Sequence, residues 1–244
     1  MKKKYKFKLT FFIPCLNEEK NIVSTLNNIT YVIEKSKINS EIIIVDDNSS
    51  DKTVLEVENY ENKSNLKINL IKNSSTKGLG LNYVDAAFKA EGEYYMLVNG
   101  DNAEPKESIL SIVSLIGQAD MIIPYFKNDD TRSFWRVLIS KIFTFIINLI
   151  SNQNIPYYNG PVLHKTYNVM RWSPDTHGYA YQAELITRIL DEGVSYKTIL
   201  IKNSNRNFGS SSAFSFKNIL SVIHSILQIF LRRLRKLIFY RNKN

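Results

Sequence analysis

Two apolar runs that end in acidic, turn-forming residues constrain the fold of this chain more than any other feature. Residues 42–45 form an uninterrupted β-branched run, which is long enough for a strand buried on both faces. The run stops in DDNSSD (46–51), where the residue types favour turns and helix caps. Residues 94–98 repeat this pattern and stop in NGDN (99–102). Because ligands of open α/β sheets bind beyond the carboxyl ends of the strands, two acidic strand ends predict a nucleotide site.

Strand-like runs alternate with helix-like segments along most of the chain, and this order predicts an α/β fold. We therefore expect a mostly parallel central sheet with helices on both faces. The predicted strands are 7–13, 41–45, 66–71, 94–98, 121–124 and 197–202. The predicted helices are 22–33, a segment that starts at 51, a segment around 84–88, 105–117, 178–190 and 217–240.

The chain has 244 residues, enough for one α/β domain with an appendage, and a single cysteine. Because one cysteine allows no intramolecular disulfide and offers no zinc cluster, Cys15 is expected to be a small buried hydrophobe. The amino-terminal apolar stretch is short and is interrupted by Pro14, which argues against a signal peptide. We interpret it as the first strand and expect a cytoplasmic protein. The apolar run 142–150 is too short to span a bilayer, which takes about 20 residues, and its Phe and Ile content suits a buried or an interfacial helix equally.

The net charge of +9 is concentrated in the C-terminal fifth of the chain. Residues 193–244 contain ten lysines and arginines, and no acidic residue follows Glu192. The first 192 residues therefore carry 22 basic and 23 acidic groups. Such asymmetry indicates attraction to an anionic surface, either lipid or nucleic acid.

The C-terminal tail has apolar residues at helical spacing and polar residues on the opposite face. Arginines near the polar side, without interleaved acidic residues, favour a helix that lies on an anionic membrane surface. The alternative is a helix that packs on the protein's own core. Nucleic acid is not expected as a partner, because the apolar face is too continuous for a solvated basic arm. We divide the chain into a domain at 1–214 and a basic amphipathic membrane-associating helix at 215–244.

Two common nucleotide-binding motifs are absent from the sequence. The segment GLGLNY (78–83) departs from the dinucleotide-binding pattern GxGxxG, because Tyr83 takes the place of the third glycine. The chain also has no Walker A loop, which disfavours hydrolysis of a nucleoside triphosphate.

The order of the remaining motifs resembles that of family 2 glycosyltransferases with the GT-A fold. The resemblance is strongest to the branch of dolichyl-phosphate mannose synthase and bacterial polyprenyl-phosphate glycosyltransferases. It implies a GT-A type nucleotide-diphospho-sugar transferase fold and transfer of a hexose with inversion. The matching segments cover most of residues 9–212 and are IPCLNEE (13–19), EIIIVDDNSSDKT (41–53), KGLG (77–80), LVNGDN (97–102), GYAYQAELITRILDEG (178–193) and RNFGSSS (206–212).

The resemblance implies that a nucleotide diphosphate sugar, linked to UDP or GDP, binds at the first three of these segments. Asp46 or Asp47 would bind the base and ribose, since ionised carboxylates accept hydrogen bonds from hydroxyl and ring N–H groups. Turn formation and helix capping are the alternative roles of this pair. The implied nucleotide-binding residues are Pro14, Leu16, Glu18, Asp46, Asp47 and Lys77, with Lys77 near the phosphates.

The family's metal motif Asp-x-Asp is represented here by Asn99-Gly100-Asp101. The resemblance implies Mg²⁺ or Mn²⁺ as cofactor, with Asp101 as the principal ligand and the Asn99 carbonyl as an uncharged one. Ala103 stands where this branch can place another polar ligand, and Glu104 is out of register. We therefore expect a weakened metal site, or a metal held mainly by donor phosphates and Asp101.

The resemblance also implies that basic side chains hold the phosphate of a lipid acceptor, which arginine suits through its forked donors. A solvated helix face is the alternative for Arg132 and Arg136. Ser212 replaces the lysine of the family's Ser-Lys pair, which weakens the case for a phosphate acceptor. The implied acceptor residues are Arg132, Arg136, Ser140 and Ser211, with Arg206 as a catalytic residue.

The chemistry of the acceptor decides whether the reaction needs a base. A lipid phosphate is already anionic, whereas a sugar hydroxyl usually needs a positioned base. Glu184 is the candidate base, and its alternative role is that of a surface helix glutamate. The expected catalytic residues are thus Asp101, Arg206 and Glu184.

The resemblance and the basic tail together predict a transferase that moves a sugar to a polyprenyl phosphate at the cytoplasmic membrane face. One alternative is a transferase that extends a lipid-linked or surface glycan. Another is a catalytically degenerate protein that binds a nucleotide sugar, because Asn99 and Ser212 depart from the family pattern.

Overall fold

The computed structural model describes residues 5–64, 66–126, 134–172, 178, 180–202 and 216–239. They form a seven-stranded sheet with helices packed on both of its faces. The strands are β1 (Phe7–Cys15), β2 (Ser40–Asp46), β3 (Ile68–Lys72), β4 (Gly92–Leu97), β5 (Met121–Phe126), β6 (Leu163–Lys165) and β7 (Tyr196–Ile201). The helices are α1 (Ile22–Ser36), α2 (Thr53–Glu61), α3 (Leu79–Lys89), α4 (Lys106–Val113), α5 (Phe134–Ser151), α6 (Thr166–Met170), α7 (Tyr181–Asp191) and α8 (Phe216–Phe239).

The sheet is mostly parallel, as predicted. Its strand order is β3-β2-β1-β4-β6-β5-β7. β1 pairs in parallel with β2 and β4, β2 with β3, and β5 with β7, whereas β6 is antiparallel to both of its neighbours. Because parallel strands need a crossover, helices connect the paired strands, and the carboxyl ends of β1, β2 and β4 meet at one edge.

Strand side chains alternate between two apolar clusters, one on each face of the sheet. Phe11 and Ile13 of β1 belong to the cluster that includes residues of α1, α2 and α4. Phe12 points to the other cluster, where it packs edge-to-face on Tyr83 of α3 with 5.5 Å between ring centroids. Residues of α5, α7 and α8 complete that second cluster. Both faces of the sheet are therefore covered, which places any ligand at an edge of the sheet.

The shortest elements are those that the sequence does not predict. β6 has three residues and α6 has five, so neither is long enough to show a periodicity. The predicted third strand begins at 66, whereas β3 begins at Ile68, and the helix predicted at 105–117 ends earlier, at Val113.

The apolar run 142–150 lies inside α5. Among the helices of the described ranges, none is both long enough and apolar enough to cross a membrane. Cys15 is a free, buried thiol, which confirms its expected role as a small hydrophobe.

The C-terminal helix α8 packs against α5 and α7. Its Ser225 and Ile229 are fully buried. Packing on the protein's own core is therefore correct for one side of α8.

Candidate functional site

Three loops converge where β1, β2 and β4 end. Three backbone hydrogen bonds of 2.9 Å join these segments. The Val98 N–H donates to the Phe12 carbonyl, the Asp47 N–H to the Cys15 carbonyl, and the Asn73 N–H to the backbone carbonyl of Asp46. These bonds continue the ladder of the sheet beyond its regular strands. The chain segments that carry the acidic residues are thus held side by side at one edge.

The loops after β1 and β2 are also bonded to each other through side chains. The Glu18 N–H donates to Thr53 Oγ1 at 2.8 Å, and the Glu19 N–H donates to Asp51 Oδ2 at 3.1 Å. In return, the Lys52 N–H donates to Glu19 Oε2 at 3.1 Å. This exchange holds the Glu18 backbone against the start of α2, while its Oε2 accepts Asn21 Nδ2 at 2.8 Å.

Asp51 precedes Lys52, the N-cap residue of α2, and its side chain bonds to the first turn of that helix. Its Oδ1 accepts the N–H of Thr53, the first residue of α2, at 2.9 Å. Burial alone would raise the pKa of Asp51, but the hydrogen bonds from Thr53 and Glu19 outweigh burial, so the pKa is lowered.

Asp47 is used to hold the loop before α3. Its Oδ1 and Oδ2 accept the backbone N–H groups of Lys77 and Gly78, each at 2.9 Å, and Oδ1 also accepts Asn73 Nδ2 at 2.9 Å. Burial raises the pKa of Asp47, yet the bonds from Lys77, Asn82, Asn73 and Gly78 outweigh it, so the pKa is lowered. Gly78 has φ +93°, a conformation that glycine adopts without strain. Both carboxylate oxygens of Asp47 thus already accept hydrogen bonds from the protein itself.

Asp46 differs from Asp47 in having an acceptor atom left over. Its Oδ2 accepts the Ser49 N–H at 3.1 Å, which forms the turn. Its Oδ1 is buried and has no hydrogen-bond partner among the described residues. A buried acceptor without a partner is costly, so this atom is the stronger candidate contact for a ligand N–H or hydroxyl group.

The turn that contains Asn99 and Asp101 packs directly on the end of β1. A Cβ atom on Gly100 would lie 2.9 Å from the Pro14 carbonyl oxygen and 3.0 Å from Cys15 Sγ, so only glycine fits here. Thr25 Oγ1 of α1 donates to the Gly100 carbonyl at 3.0 Å and fixes the turn from its other side. Asp101 is buried beyond the strand end, where its Oδ1 accepts the Ala103 N–H at 3.1 Å.

Glu104 joins this turn, although its sequence position is out of register with the metal motif. Its Oε1 accepts Asn99 Nδ2 at 2.7 Å, and its Oε2 accepts the Asn99 N–H at 3.1 Å. Burial raises the pKa of Glu104 to about 7, with a further contribution from Asp101 that the bonds from Asn99 oppose. Because the carboxylate receives the amide nitrogen, Asn99 Oδ1 is turned away from Glu104. Glu104 is buried close to Asp101, so the site contains a second carboxyl group that the sequence pattern does not reveal.

Negative charge accumulates around Cys15. Burial raises the pKa of its thiol, and the nearby carboxylates of Glu18, Asp46, Asp51 and Asp101 raise it further. The described residues contain no group of three or more His, Cys, Asp or Glu side chains arranged to hold a metal. The oxygen ligands and the excess negative charge fit a hard divalent cation that takes its other ligands from a bound diphosphate and water.

The remaining residues predicted to bind the nucleotide lie at the same edge of the sheet, with one qualification. Leu16 is exposed and Pro14 is half-buried, as a contact to a planar base requires. The backbone N–H of Lys77 bonds to Asp47, whereas its Nζ lies 3.3 Å from Asp85 Oδ2 on α3. The Lys77 ammonium group is therefore paired on the helix surface.

Glu184 of α7 is fully buried, so its interpretation as a surface helix glutamate is wrong. Its Oε1 accepts Arg188 Nη2 at 2.7 Å. Arg232 of α8 donates to the Glu184 carbonyl at 3.4 Å and to Thr187 Oγ1 at 2.7 Å. The role of Glu184 as a base stays a prediction, and Arg232 is a neighbour that the sequence does not reveal.

The predicted acceptor residues are only partly within the described structure. Ser140 lies on α5 and is half-buried. Arg136 also lies on α5, but its side chain is outside the described part of the structure. Arg132, Arg206 and Ser211 lie outside the described residues.

Comparison with known proteins gives a match along most of the chain. A family model described as "Glycosyl transferase family 2" matches residues 10–175. The poly(ribitol-phosphate) beta-N-acetylglucosaminyltransferase TarS of Staphylococcus aureus is 33% identical over 127 residues, which are 51% of this chain and 22% of TarS. The dolichol-phosphate mannosyltransferase of Pyrococcus furiosus is 28% identical over 139 residues, 55% of this chain and 38% of that protein. The matches span less than half the length of either relative.

Solved structures share the fold over nearly the whole chain. The glucosyl-3-phosphoglycerate synthase of Mycobacterium tuberculosis, crystallised with Mn²⁺, UDP and phosphoglyceric acid, has a TM-score of 0.71 at 12% identity. The similarity covers 93% of this chain and 78% of that one. At this identity the likeness concerns the fold alone, and it confirms the predicted GT-A architecture.

Proposed function

Because this chain belongs to glycosyl transferase family 2, we propose that it transfers a sugar from a nucleotide diphosphate sugar to a polyprenyl phosphate. The convergence of Asp46 and Asp101 at the carboxyl edge of the sheet carries the donor half of this proposal. Two buried carboxylates there suit opposite ends of one ligand, the nucleoside and the metal-bound diphosphate.

The nucleoside would bind between the loops after β1 and β2. Asp46 Oδ1, which is buried and has no partner among the described residues, would accept a base N–H or a ribose hydroxyl. Asp47 acts indirectly, because its carboxylate holds the Lys77–Gly78 backbone in place. Pro14, Leu16 and Glu18 would border the base.

The diphosphate would lie beside the Asn99–Asp101 turn together with Mg²⁺ or Mn²⁺. Asp101 would be the charged protein ligand and Asn99 Oδ1 a neutral one, with Glu104 fixing the Asn99 amide. Such a metal neutralises charge that develops on the leaving nucleoside diphosphate. Lys77 would reach the phosphates by leaving Asp85, and exposed ion pairs of this kind contribute only about 0–1 kcal/mol.

In the proposed reaction, an acceptor phosphate oxygen attacks the anomeric carbon while the bond from that carbon to the nucleoside diphosphate breaks. Attack opposite the leaving group inverts the configuration. The acceptor brings its own negative charge, so the chain needs to hold it and not to deprotonate it. Ser140 on α5 and the predicted Arg132, Arg136, Arg206 and Ser211 are the candidates for this task.

The lipid nature of the acceptor is supported by the basic C-terminal fifth and by exposed apolar side chains on α5 and α8. We infer from them a peripheral position at the cytoplasmic membrane face, with α8 as part of the contact. The role of 215–244 as a membrane-associating helix is part of the same proposal.

Transfer to a glycan hydroxyl is the second candidate function. It is favoured by the buried carboxylate of Glu184, which is held by Arg188 and would serve as the base. TarS, by its name, acts on a poly(ribitol-phosphate) acceptor, which is neither a lipid phosphate nor a single sugar. A non-catalytic protein is less well supported. Although Asn99 replaces the first aspartate of the family's metal motif, Glu104 brings a second carboxyl group to that turn.

The test is a screen of UDP- and GDP-sugars with the purified chain, Mg²⁺ or Mn²⁺, and either undecaprenyl phosphate or a ribitol phosphate polymer. We expect release of UDP or GDP that depends on undecaprenyl phosphate and is lost in Asp101→Asn. The matched control, Asp120→Asn, changes a carboxylate that pairs with Lys165 before β5 and should retain turnover. Release that depends only on the polymer would contradict the lipid acceptor, and donor binding without release would favour a non-catalytic protein.

A further inference from the structure

The outer sides of α5 and α8 expose large apolar side chains, from Phe134 to Leu149 on α5 and from Ile219 to Phe239 on α8. On α5, Trp135, Phe145 and Leu149 are 67%, 66% and 70% exposed. On α8, Leu220, Leu227 and Leu234 recur every seven residues and are 50%, 53% and 41% exposed. Single exposed apolar residues are ordinary, but contiguous stripes of this size mark an interaction surface.

The α8 helix is oriented with its apolar side outward and much of its polar side inward. Ser225 and Ile229 are fully buried, and Arg232 continues the same face. Arg232 Nε lies 3.5 Å from Asp191 Oδ2, while Arg233 Nη1 and Lys236 Nζ each lie 3.4 Å from Asp191 Oδ1. The arginines expected to face an anionic surface are thus partly bound to α7. This pairing leaves the leucine stripe as the outward side of α8.

The two exposed stripes belong to one surface, which we call the two-helix surface. α5 and α8 pack against each other, and Ile147 and Ile229 enter the same core cluster from the two helices. The sides of both helices opposite these residues therefore point away from the same core. A helix of 24 residues is about 36 Å long, so the surface extends across much of a domain of this size.

The charge of the two helices identifies the occupant. Residues 134–151 and 216–239 contain seven lysines and arginines and no aspartate or glutamate. Asp191 of α7 pairs with three of these cations, so the two helices keep a net positive charge. An apolar surface with a net positive charge suits the boundary between acyl chains and anionic headgroups. A second copy of this chain would bring the same net positive charge, which disfavours self-association.

We propose that α5 and α8 dock together on an anionic lipid bilayer, lying in the plane of the membrane with their leucine and aromatic side chains inserted. This inference rests on the peripheral location proposed above and deepens it, because α5 is a second helix of the contact. The contacts of Asp191 keep α8 attached to the catalytic domain. Docking through both helices fixes the orientation of the domain toward a lipid-borne acceptor, which one flexible anchor would not do.

The experiment is co-sedimentation of the full chain with vesicles of phosphatidylcholine, with and without phosphatidylglycerol. Phe145→Glu with Leu149→Glu alters the α5 stripe, and Leu227→Glu with Leu234→Glu alters the α8 stripe. Leu55→Glu with Phe88→Glu is the matched control, because these residues are 49% and 59% exposed on α2 and α3. Thermal unfolding and binding of the donor nucleotide, followed without lipid, show that each variant is folded.

We expect the wild-type chain to bind the vesicles with phosphatidylglycerol more tightly, and each stripe variant to lose about tenfold or more in affinity. The control pair should bind as the wild type does. Unchanged binding of the α5 variant would overturn the two-helix surface, and absence of wild-type binding would overturn membrane docking altogether. A wild-type dimer that both stripe variants break, without vesicle binding, would instead assign the surface to self-association. Because donor binding is measured separately, failure of docking is distinguishable from failure of the proposed reaction.

Discussion

The carboxyl edge of the sheet and the two-helix surface treat polar groups in opposite ways. At the sheet edge, the carboxylates of Asp47 and Asp51 are bonded to backbone N–H groups of neighbouring loops. At the two-helix surface, Arg232 is bonded inward and Leu227 is left exposed. The first region thus bonds its carboxylates to neighbouring backbone groups, whereas the second leaves apolar area that water solvates poorly.

This contrast teaches which side chains are available to partners. Asp46 and Asp47 are adjacent in sequence and both buried, but only Asp46 retains an acceptor atom without a partner among the described residues. Likewise, the arginines and the leucines of α8 share a helix, and the bonds to Asp191 leave the leucines as the outward group. Residue type alone neither distinguishes the two aspartates nor shows that Arg232 and Arg233 pair with Asp191.

The largest effect is expected at the sheet edge. Asp101→Ala should lower turnover roughly 10²–10³-fold, because it removes the charged group that would stabilise the leaving diphosphate through the metal. Asn99→Ala should cost much less, since it removes a neutral ligand. Steady-state release of the nucleoside diphosphate and donor titrations with and without Mn²⁺ measure both effects. Equal turnover of Asp101→Ala and the wild type would rule out the metal assignment.

A large loss of stability is expected where the two regions are joined. Asp191→Ala leaves the largely buried guanidinium of Arg232 without its carboxylate partner, which should lower the free energy of unfolding by about 2–4 kcal/mol. Urea unfolding measures the loss. The control is Asp120→Ala, which removes an exposed ion pair with Lys165 and should cost less than about 1 kcal/mol. Equal losses in the two variants would mean that α8 is not held by Asp191.

A smaller effect with a defined pH dependence is expected for Asp47→Asn. The variant loses charge-assisted bonds to the Lys77–Gly78 loop, at a cost of about 1.5–3 kcal/mol near neutral pH. Since the pKa of Asp47 in the folded protein is below its ordinary value of 3.8, its contribution is full above that value. As the pH falls through the lowered pKa, the contribution is lost.

Unfolding of wild type and Asp47→Asn should therefore converge on acidification below about pH 4. A difference in stability that is the same at acid and neutral pH would show that the loop does not depend on the charge of Asp47.

The smallest effect on stability is expected at the two-helix surface. Leu227→Gln alters a side chain that is already half exposed, so the free energy of unfolding should change by less than about 0.5 kcal/mol. Ile229→Gln, two residues away and fully buried, is the matched contrast and should be strongly destabilising. Comparable losses for the two would mean that the leucine stripe is covered by the protein itself.

Much of the fold is legible in the sequence. The parallel sheet, the long helices and the grouping of acidic residues at strand ends follow from local periodicity and from turn chemistry. β6 is missed because three residues carry no periodicity. Glu104 is missed because its place five residues after Asn99 matches no motif, and only the fold of the turn brings the two together.

By itself, the sequence determined the order of strands and helices, the family pattern and the basic, acid-free tail, because these depend on residues close together along the chain. Only the tertiary structure decided that Asp47 binds the Lys77 loop while Asp46 keeps an oxygen without a partner among the described residues. It also decided that Arg232 and Arg233 of α8 turn toward Asp191. These outcomes rest on contacts such as that between Arg232 and Asp191, which are distant in sequence. Burial decides which groups must find a partner within the protein, and burial exists only once the chain has folded.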